Sequence, residues 1–171
     1  MLILVTGQTG SGKSVFAETL AVRLRETRYY IATMLPHGAE GASRVQKHQA
    51  QRAGLGFITL ELPYAVGEAA IPAGAAVLLE DVSNLLANAM FDKNASAAEV
   101  FQDMVKLCRR VGCVIAVTVS EFEDGDYSEE TLRYIRALKC LNRKLSGLAD
   151  TVIEMHEVTP VFIKGVRHEL I

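Results

Sequence analysis

The chain has 171 residues, half of them hydrophobic and 22% charged, with a formal net charge of −2 and a pI near 6.1. That balance supports one domain with a real core, and it excludes both disorder and a general nucleic-acid binder, which needs a basic surplus. No stretch reaches the roughly 18 apolar residues of a membrane span. The apolar N-terminus is too short for a signal peptide and lacks its basic lead. The three cysteines (Cys108, Cys113, Cys140) are an odd number without metal-ligand spacing and read as small buried hydrophobes in a reducing compartment. A single cytoplasmic domain over residues 1–171 is expected.

In chain order, Leu2-Ile3-Leu4-Val5 predicts a strand that runs into Gly7-Gln8-Thr9-Gly10-Ser11-Gly12-Lys13-Ser14, a complete G-x-x-x-x-G-K-[ST] phosphate loop. Residues 13–26 predict an amphipathic helix with Phe16, Ala17, Leu20, Ala21 and Leu24 on one face. Tyr29 to Thr33 is β-branched and aromatic and reads as the second strand. Residues 34–42, with Pro36, Gly38 and Gly41, read as an exposed loop. A polar helix follows, capped by Ser43, in which Arg44, His48 and Arg52 recur every four residues and share one face.

Phe57 to Leu60 predicts a short strand ending at Glu61 and Pro63, and residues 64–75 an irregular segment with a loop at Pro72-Ala73-Gly74. The apolar run Ala76 to Leu79 then meets Glu80-Asp81, as a buried parallel strand does at its functional edge. Residues 96–111 predict a helix capped by Ser96 with Val100, Met104, Val105 and Leu107 inward, and Cys113 to Val119 is the most apolar strand of the chain. The acidic segment 120–130 reads as a solvated loop rather than a metal site, leading into a long helix from about Ser128 to Leu148. Thr151 to Ile153 and Val161 to Ile163 predict two last strands with a turn at Pro160. Strands alternating with helices predict an α/β fold, a mostly parallel sheet with helices on both faces.

The chemistry starts at the loop. Its glycines let successive N–H groups point at phosphate oxygens, and the following helix adds the positive end of its dipole. Lys13 then reaches the outer phosphates while the Ser14 hydroxyl joins the shell of a magnesium ion. A carboxylate must complete that shell, and Glu80 and Asp81 both offer one. Alternation sends them to opposite faces, so only one meets the nucleotide, and spacing does not choose. The other favours the N-terminus of the next helix. A histidine on a polar helix is ordinarily a surface residue. The functional reading beside it is that the neighbouring Arg44 and Arg52 hold the His48 imidazole neutral, which makes it a competent nucleophile toward phosphorus. His37, His156 and His168 have no such setting.

Together these residues resemble the bifunctional adenosylcobinamide kinase / adenosylcobinamide-phosphate guanylyltransferase family. The resemblance covers most of the chain: LILVTG opening the phosphate loop, Tyr30-Ile31-Ala32-Thr33, and Arg44-Val45-x-x-His48-Gln49-x-x-Arg52. It continues through Thr59-x-Glu61-x-Pro63, Val77-Leu78-Leu79 with its acid, Asn88 in the following helix, Leu141-Asn142, Ala149-Asp150, Pro160 and Lys164-Gly165. It implies a P-loop NTPase of the RecA-like type, assembled as a homotrimer. ATP or GTP phosphorylates the aminopropanol hydroxyl of adenosylcobinamide, a corrinoid. GTP then guanylylates the histidine matching His48, and GMP passes to the phosphorylated substrate. By the same resemblance Lys13 and His48 are catalytic, and Ser14 and Glu80 hold Mg2+. The nucleotide touches the loop residues Gly7 to Ser14 and also Ala32, Thr33, Met34, Gln49, Ala50, Gln51, Arg52, Glu61 and Glu80.

The chain also departs from the family's pattern. Glu80 stands where the family has Asp. Ser120-Glu121-Phe122-Glu123-Asp124-Gly125 replaces the segment S-N-E-V-G-x-G, and of R-D-x-x-G-x-L-N-Q only Leu141-Asn142 remains. With the divergence concentrated at 120–140, two other readings stand beside the first. One is a P-loop small-molecule kinase of other specificity, with His48 a bystander. The other is a nucleotide-binding subunit with one activity lost.

Overall fold

The computed structural model describes residues 1–35, 54–120, 122 and 125–165. The predicted polar helix with Arg44, His48, Gln49, Ala50, Gln51 and Arg52 lies outside the described residues, as do His37, His168 and the acids Glu121, Glu123 and Asp124.

The elements run β1 (Leu2–Gly7), α1 (Lys13–Leu24), β2 (Arg28–Ala32), β3 (Phe57–Glu61), β4 (Ala76–Glu80), α2 (Val82–Lys93), α3 (Ala97–Arg110), β5 (Cys113–Val117), α4 (Glu129–Leu148), β6 (Thr151–His156) and β7 (Thr159–Lys164). The strands form one sheet of seven in the order β3-β2-β4-β5-β1-β6-β7. All neighbours are parallel except β7, which returns antiparallel to β6. Continuous apolar runs such as AVLLE and CVIAV form the central strands because both faces of such a sheet are covered.

Alternation along each strand divides the core in two. Ile3, Val5, Ala76, Leu78, Cys113 and Ile115 face α1, where Ala17, Leu20 and Ala21 meet them. Leu4, Val77, Leu79, Val114 and Ala116 face the opposite way, onto a layer that includes Leu86 of α2, Met104 of α3 and Leu138 of α4. The expected doubly covered α/β sheet is the observed one. Ser96 caps α3 through a full capping box with Glu99, and Val100, Met104 and Leu107 are buried as the spacing predicts, while Val105 is half-buried. The cysteines are free, and burial pushes the Cys108 thiol up to about 11, as befits an inert core sulfur.

One local expectation is corrected. The final hairpin turns at Glu157-Val158, with φ of 45° and 66°, and Pro160 lies inside β7 opposite Met155. β7 is the sheet's last strand, with one side unpaired, so a proline without an N–H is accommodated there. Residues 82–93, passed over by periodicity, form the complete helix α2.

Leu138 is fully buried between α4 and the sheet. Leu138→Ala is expected to destabilise the protein by about 2–5 kcal/mol, read as a lower urea midpoint with little change in slope.

Candidate active site

The phosphate loop joins β1 to α1 and is shaped by two close approaches. Gly7 (φ 140°) lies against β6, where an added Cβ would stand 2.6 Å from the Met155 carbonyl oxygen. Gly12 (φ 81°) faces the hairpin turn, where a Cβ would stand 3.0 Å from Cγ1 of Val158. A side chain is excluded at Gly7 by space as well as by backbone conformation, and disfavoured at Gly12 by its left-handed backbone. The turn also donates a hydrogen bond to the loop, from the Val158 N–H to the Ser11 carbonyl at 3.3 Å.

Lys13 is buried, and its Nζ donates to the loop's own carbonyls, Gly7 O at 3.0 Å and Gln8 O. Desolvation lowers its pKa, while the charges of Asp81 and Glu80 work the other way. An ammonium held by neutral carbonyls exchanges them favourably for phosphate oxygens, since charge-assisted hydrogen bonds are the stronger kind. Ser11 Oγ is buried with no hydrogen-bond partner among the described residues. A loop with an orphaned hydroxyl and an inward-turned lysine is built for an oxygen-rich anion.

The two acids that the sequence leaves equivalent have different places. α1 leaves β1 and packs across β5 and β4 before the chain re-enters the sheet at β2. Ser14, in its first turn, therefore sits over the end of β4. Glu80 continues the series Ala76, Leu78 on the α1 side and reaches it: Ser14 Oγ donates to Glu80 Oε1, and the Tyr30 hydroxyl donates to Glu80 Oε2 at 3.1 Å. Asp81 caps α2 instead. Its Oδ1 accepts from the Asn84 N–H and from Ser83 Oγ, both at 2.6 Å. Burial raises the Asp81 carboxyl above the usual range, against the lowering effect of those two hydrogen bonds.

The donor set of Ser14 hydroxyl, Glu80 carboxylate and phosphate oxygens suits a hard divalent cation such as magnesium. Among the described residues no group of three His, Cys, Asp or Glu side chains is placed to hold a metal ion. A magnesium shell here would therefore draw on the nucleotide as well as on Ser14 and Glu80.

Ala32 pairs with Glu61 on one side and with Glu80 on the other, so these three stand in a row at the carboxyl ends of β2, β3 and β4. Glu61 is exposed and Met34 half-buried. Thr33 is fully buried, and its hydroxyl is engaged with the Asp81 backbone, accepting from N–H at 2.7 Å and donating to C=O at 2.8 Å. The structure thus brings together the loop, Lys13, Ser14 and Glu80, with Ala32 and Glu61 along the same edge.

Three further residues escaped the sequence reading of the site. Tyr30 fixes the Glu80 carboxylate. Asn88 holds the β2 and β3 exits together by donating to Thr33 O at 2.7 Å and Pro63 O at 3.3 Å. Asn142 ties α4 to the end of β5 through Thr118 and Val119. Only the presence of Tyr30, Asn88 and Asn142 in the resemblance hinted at them.

A phosphate loop between β1 and α1, with a β4 carboxylate on its serine, defines a P-loop nucleotide-binding protein of RecA-like type. The fold is similar to that of a prototypical ATPase from the type III secretion system of pathogenic bacteria, with a TM-score of 0.54 and 12% identity over 90% of this chain and 50% of that one. It is also similar to a protein of Pyrococcus horikoshii OT3, with a TM-score of 0.54 and 10% identity over 99% of this chain and 88% of that one. This chain spans about half the length of the secretion ATPase, and both likenesses concern the fold alone. No curated protein matches the sequence. The family model for cobinamide kinase / cobinamide phosphate guanyltransferase matches residues 3–163. The chain belongs to that family, the adenosylcobinamide kinases and guanylyltransferases of cobalamin biosynthesis. Among the described residues no helix is long and apolar enough to cross a membrane.

Asp81 gives a test of these electrostatics. Its folded-state pKa lies above the ordinary 3.8, so the unfolded chain releases the proton first and stability falls as pH rises through that interval. Asp81→Asn keeps the Oδ1 acceptor that both hydrogen bonds use, and asparagine is itself a good N-cap. The variant is therefore expected to gain on the wild type as pH is raised from 4 to 7, measured as the difference between urea midpoints. A gain on acidification instead would show the carboxylate to be net stabilised in the fold.

Proposed function

We propose that this chain carries both activities of its family on one nucleotide site. The observation that carries the reading is the Glu80 carboxylate held on Ser14 and Tyr30 beside a complete loop with Lys13 turned inward. In the first reaction the aminopropanol hydroxyl oxygen of adenosylcobinamide bonds to the γ-phosphorus. The bond to the β,γ-bridging oxygen breaks, the nucleoside diphosphate leaves and the hydroxyl proton passes to solvent. Lys13 and the loop N–H groups hold the outer phosphates through this exchange. Ser14 and Glu80 would hold Mg2+, which when bound neutralises charge on the β- and γ-oxygens. Glu80 is one methylene longer than the family's Asp, and the Tyr30 hydroxyl takes up that extra freedom by fixing the second carboxylate oxygen.

In the second reaction the neutral imidazole of His48 attacks the α-phosphorus of GTP and pyrophosphate leaves. A phosphate oxygen of adenosylcobinamide phosphate then attacks the same phosphorus, the P–N bond breaks and the imidazole is restored. Arg44 and Arg52, a turn either side of His48 in the predicted helix, supply charge for the phosphates. Nucleotide contacts at Ala32, Thr33, Met34, Gln49, Ala50, Gln51, Arg52 and Glu61 belong to the same proposal. So do a single cytoplasmic domain, a homotrimeric assembly and either ATP or GTP as kinase substrate.

GTP labelled at the α-phosphate is expected to label the wild-type protein in an acid-labile, base-stable bond, and not to label His48→Ala. Label that persists in His48→Ala, or fails in the wild type, refutes the guanylyltransferase half. Transfer of γ-label to adenosylcobinamide without protein-bound α-label would leave the kinase alone. Glu80→Gln is expected to lower kcat of both reactions on the order of a hundredfold and to shift magnesium dependence upward, with thermal unfolding near that of the wild type.

A further inference from the structure

Two cavities open at the tip of the phosphate loop and share Gln8 and Thr9. One lies toward the β6–β7 hairpin, between the loop and residues 154–157. The other, of about 460 Å³, lies toward the start of α2 and is walled by Ser83, Phe122, Tyr127 and Tyr134. The second adjoins the strand end at which α2 begins, just beyond Glu80-Asp81. Ser83 is three residues beyond Glu80 and donates to Oδ1 of Asp81 at 2.6 Å. Ser14 and Glu80 would hold a magnesium ion on the outer phosphates. Of the two cavities at the loop tip, the hairpin one is lined by Glu154 and Glu157, which would repel the terminal phosphate, and this one carries no acid among its described lining residues.

Its walls are specific in character. Phe122 meets Tyr134 edge to face at 6.5 Å, and Tyr134 is fixed by donating to the Ser83 carbonyl at 3.1 Å. Tyr127 stands partly exposed at the rim. Among the described residues that line the cavity none is charged, and hydroxyl and amide groups are its only side-chain polarity. Such a wall buries methyl and methylene groups and accepts a neutral alcohol. A dianionic phosphate would lose its water there without a counter-charge from the described lining residues. A volume of this size suits a small ligand or one arm of a larger one, and a corrin macrocycle is left outside at the mouth.

We infer that this cavity binds the neutral, hydroxyl-bearing arm of the kinase acceptor, and that the phosphorylated acceptor of guanylyl transfer docks elsewhere. The inference rests on the kinase reading above. It makes Phe122, Tyr127 and Tyr134 the specificity-determining residues for the alcohol, in the stretch 120–140 where this chain departs from its family's pattern. It also gives the first reaction a reason to release its product: the arm that enters neutral becomes an anion against a wall whose described residues supply no cation.

The test is a comparison of two KM values in one protein. Tyr127→Ala and Phe122→Ala are expected to raise the KM for adenosylcobinamide in the kinase reaction about tenfold, and to leave the KM for adenosylcobinamide phosphate in guanylyl transfer within about twofold. Equal changes in both, or none in either, overturn the assignment. Should the wild type not phosphorylate adenosylcobinamide, the kinase reading fails by itself and the cavity is read without turnover. Fluorine NMR of fluorotyrosine-labelled protein, with the Tyr127 signal assigned through Tyr127→Phe, then serves. A shift caused by adenosylcobinamide and not by its phosphate supports the cavity as the alcohol's site. No shift, or equal shifts with both, overturns it.

Discussion

Helix α1 has to cross two strands, β5 and β4, before the chain can re-enter the sheet at β2. Nearly everything at the site follows from that crossing. It lays the first turn of α1 over the end of β4, so that the eighth residue of the loop, Ser14, meets a carboxylate 66 residues further along the chain. It covers one face of the three central strands, which is why β4, β5 and β1 are apolar at nearly every position. It also puts the loop at the carboxyl edge of the sheet, where open α/β folds collect their ligands.

The loop at that edge is shaped by its neighbours as well as by its own contacts. Gly7 rests on β6 and Gly12 on the β6–β7 turn, while the turn's Val158 N–H bonds to Ser11. The antiparallel strand β7 thus has a function in the architecture beyond closing the sheet. It presents the left-handed pair Glu157-Val158 to the loop, and a valine at positive φ is a costly conformation that the surrounding contacts must hold in place. Inside the loop, Lys13 has already left bulk water and is satisfied by carbonyls. Phosphate binding then replaces one set of partners with a better one and does not have to pull the ammonium out of solvent.

The sheet was legible because its signal is binary. Apolar runs bounded by glycine, proline and acids gave the strands, and the phosphate loop fixed which strand came first. The choice between Glu80 and Asp81 was not legible, because a period of two states that neighbours diverge but not which face α1 covers. Once α1 is seen against Ala76 and Leu78, parity alone assigns Glu80 to the loop and Asp81 to the cap of α2. Pro160 misled for a related reason. Proline marks turns in general, yet an edge strand also tolerates it, and only the sheet order shows β7 to be an edge. Tyr30 looked like a β-former and is one, but its hydroxyl lies beyond what periodicity describes. His48 is the reverse case: its segment was readable in the sequence and falls outside the described residues.

The site is electrostatically lopsided, and the two proposed reactions divide along that line. On the loop side stand buried Lys13 and the N–H groups at the start of α1, opposed by Glu80. On the side of α2 and α4 stand aromatic rings and hydroxyls, with no charge among the described residues that line the cavity. An enzyme that phosphorylated an anion would need cations on both sides of the transferred group, because two phosphate-bearing partners repel at close range. A neutral alcohol imposes no such demand. It gains from an apolar wall that buries its carbon atoms and excludes competing water, which would otherwise take the phosphoryl group to hydrolysis. The second reaction joins two anions and therefore needs a cationic surface of its own, and the run that carries Arg44, Lys47 and Arg52 around His48 offers one. One loop can serve both reactions because it holds what they share, the triphosphate, and leaves the acceptors to opposite surroundings.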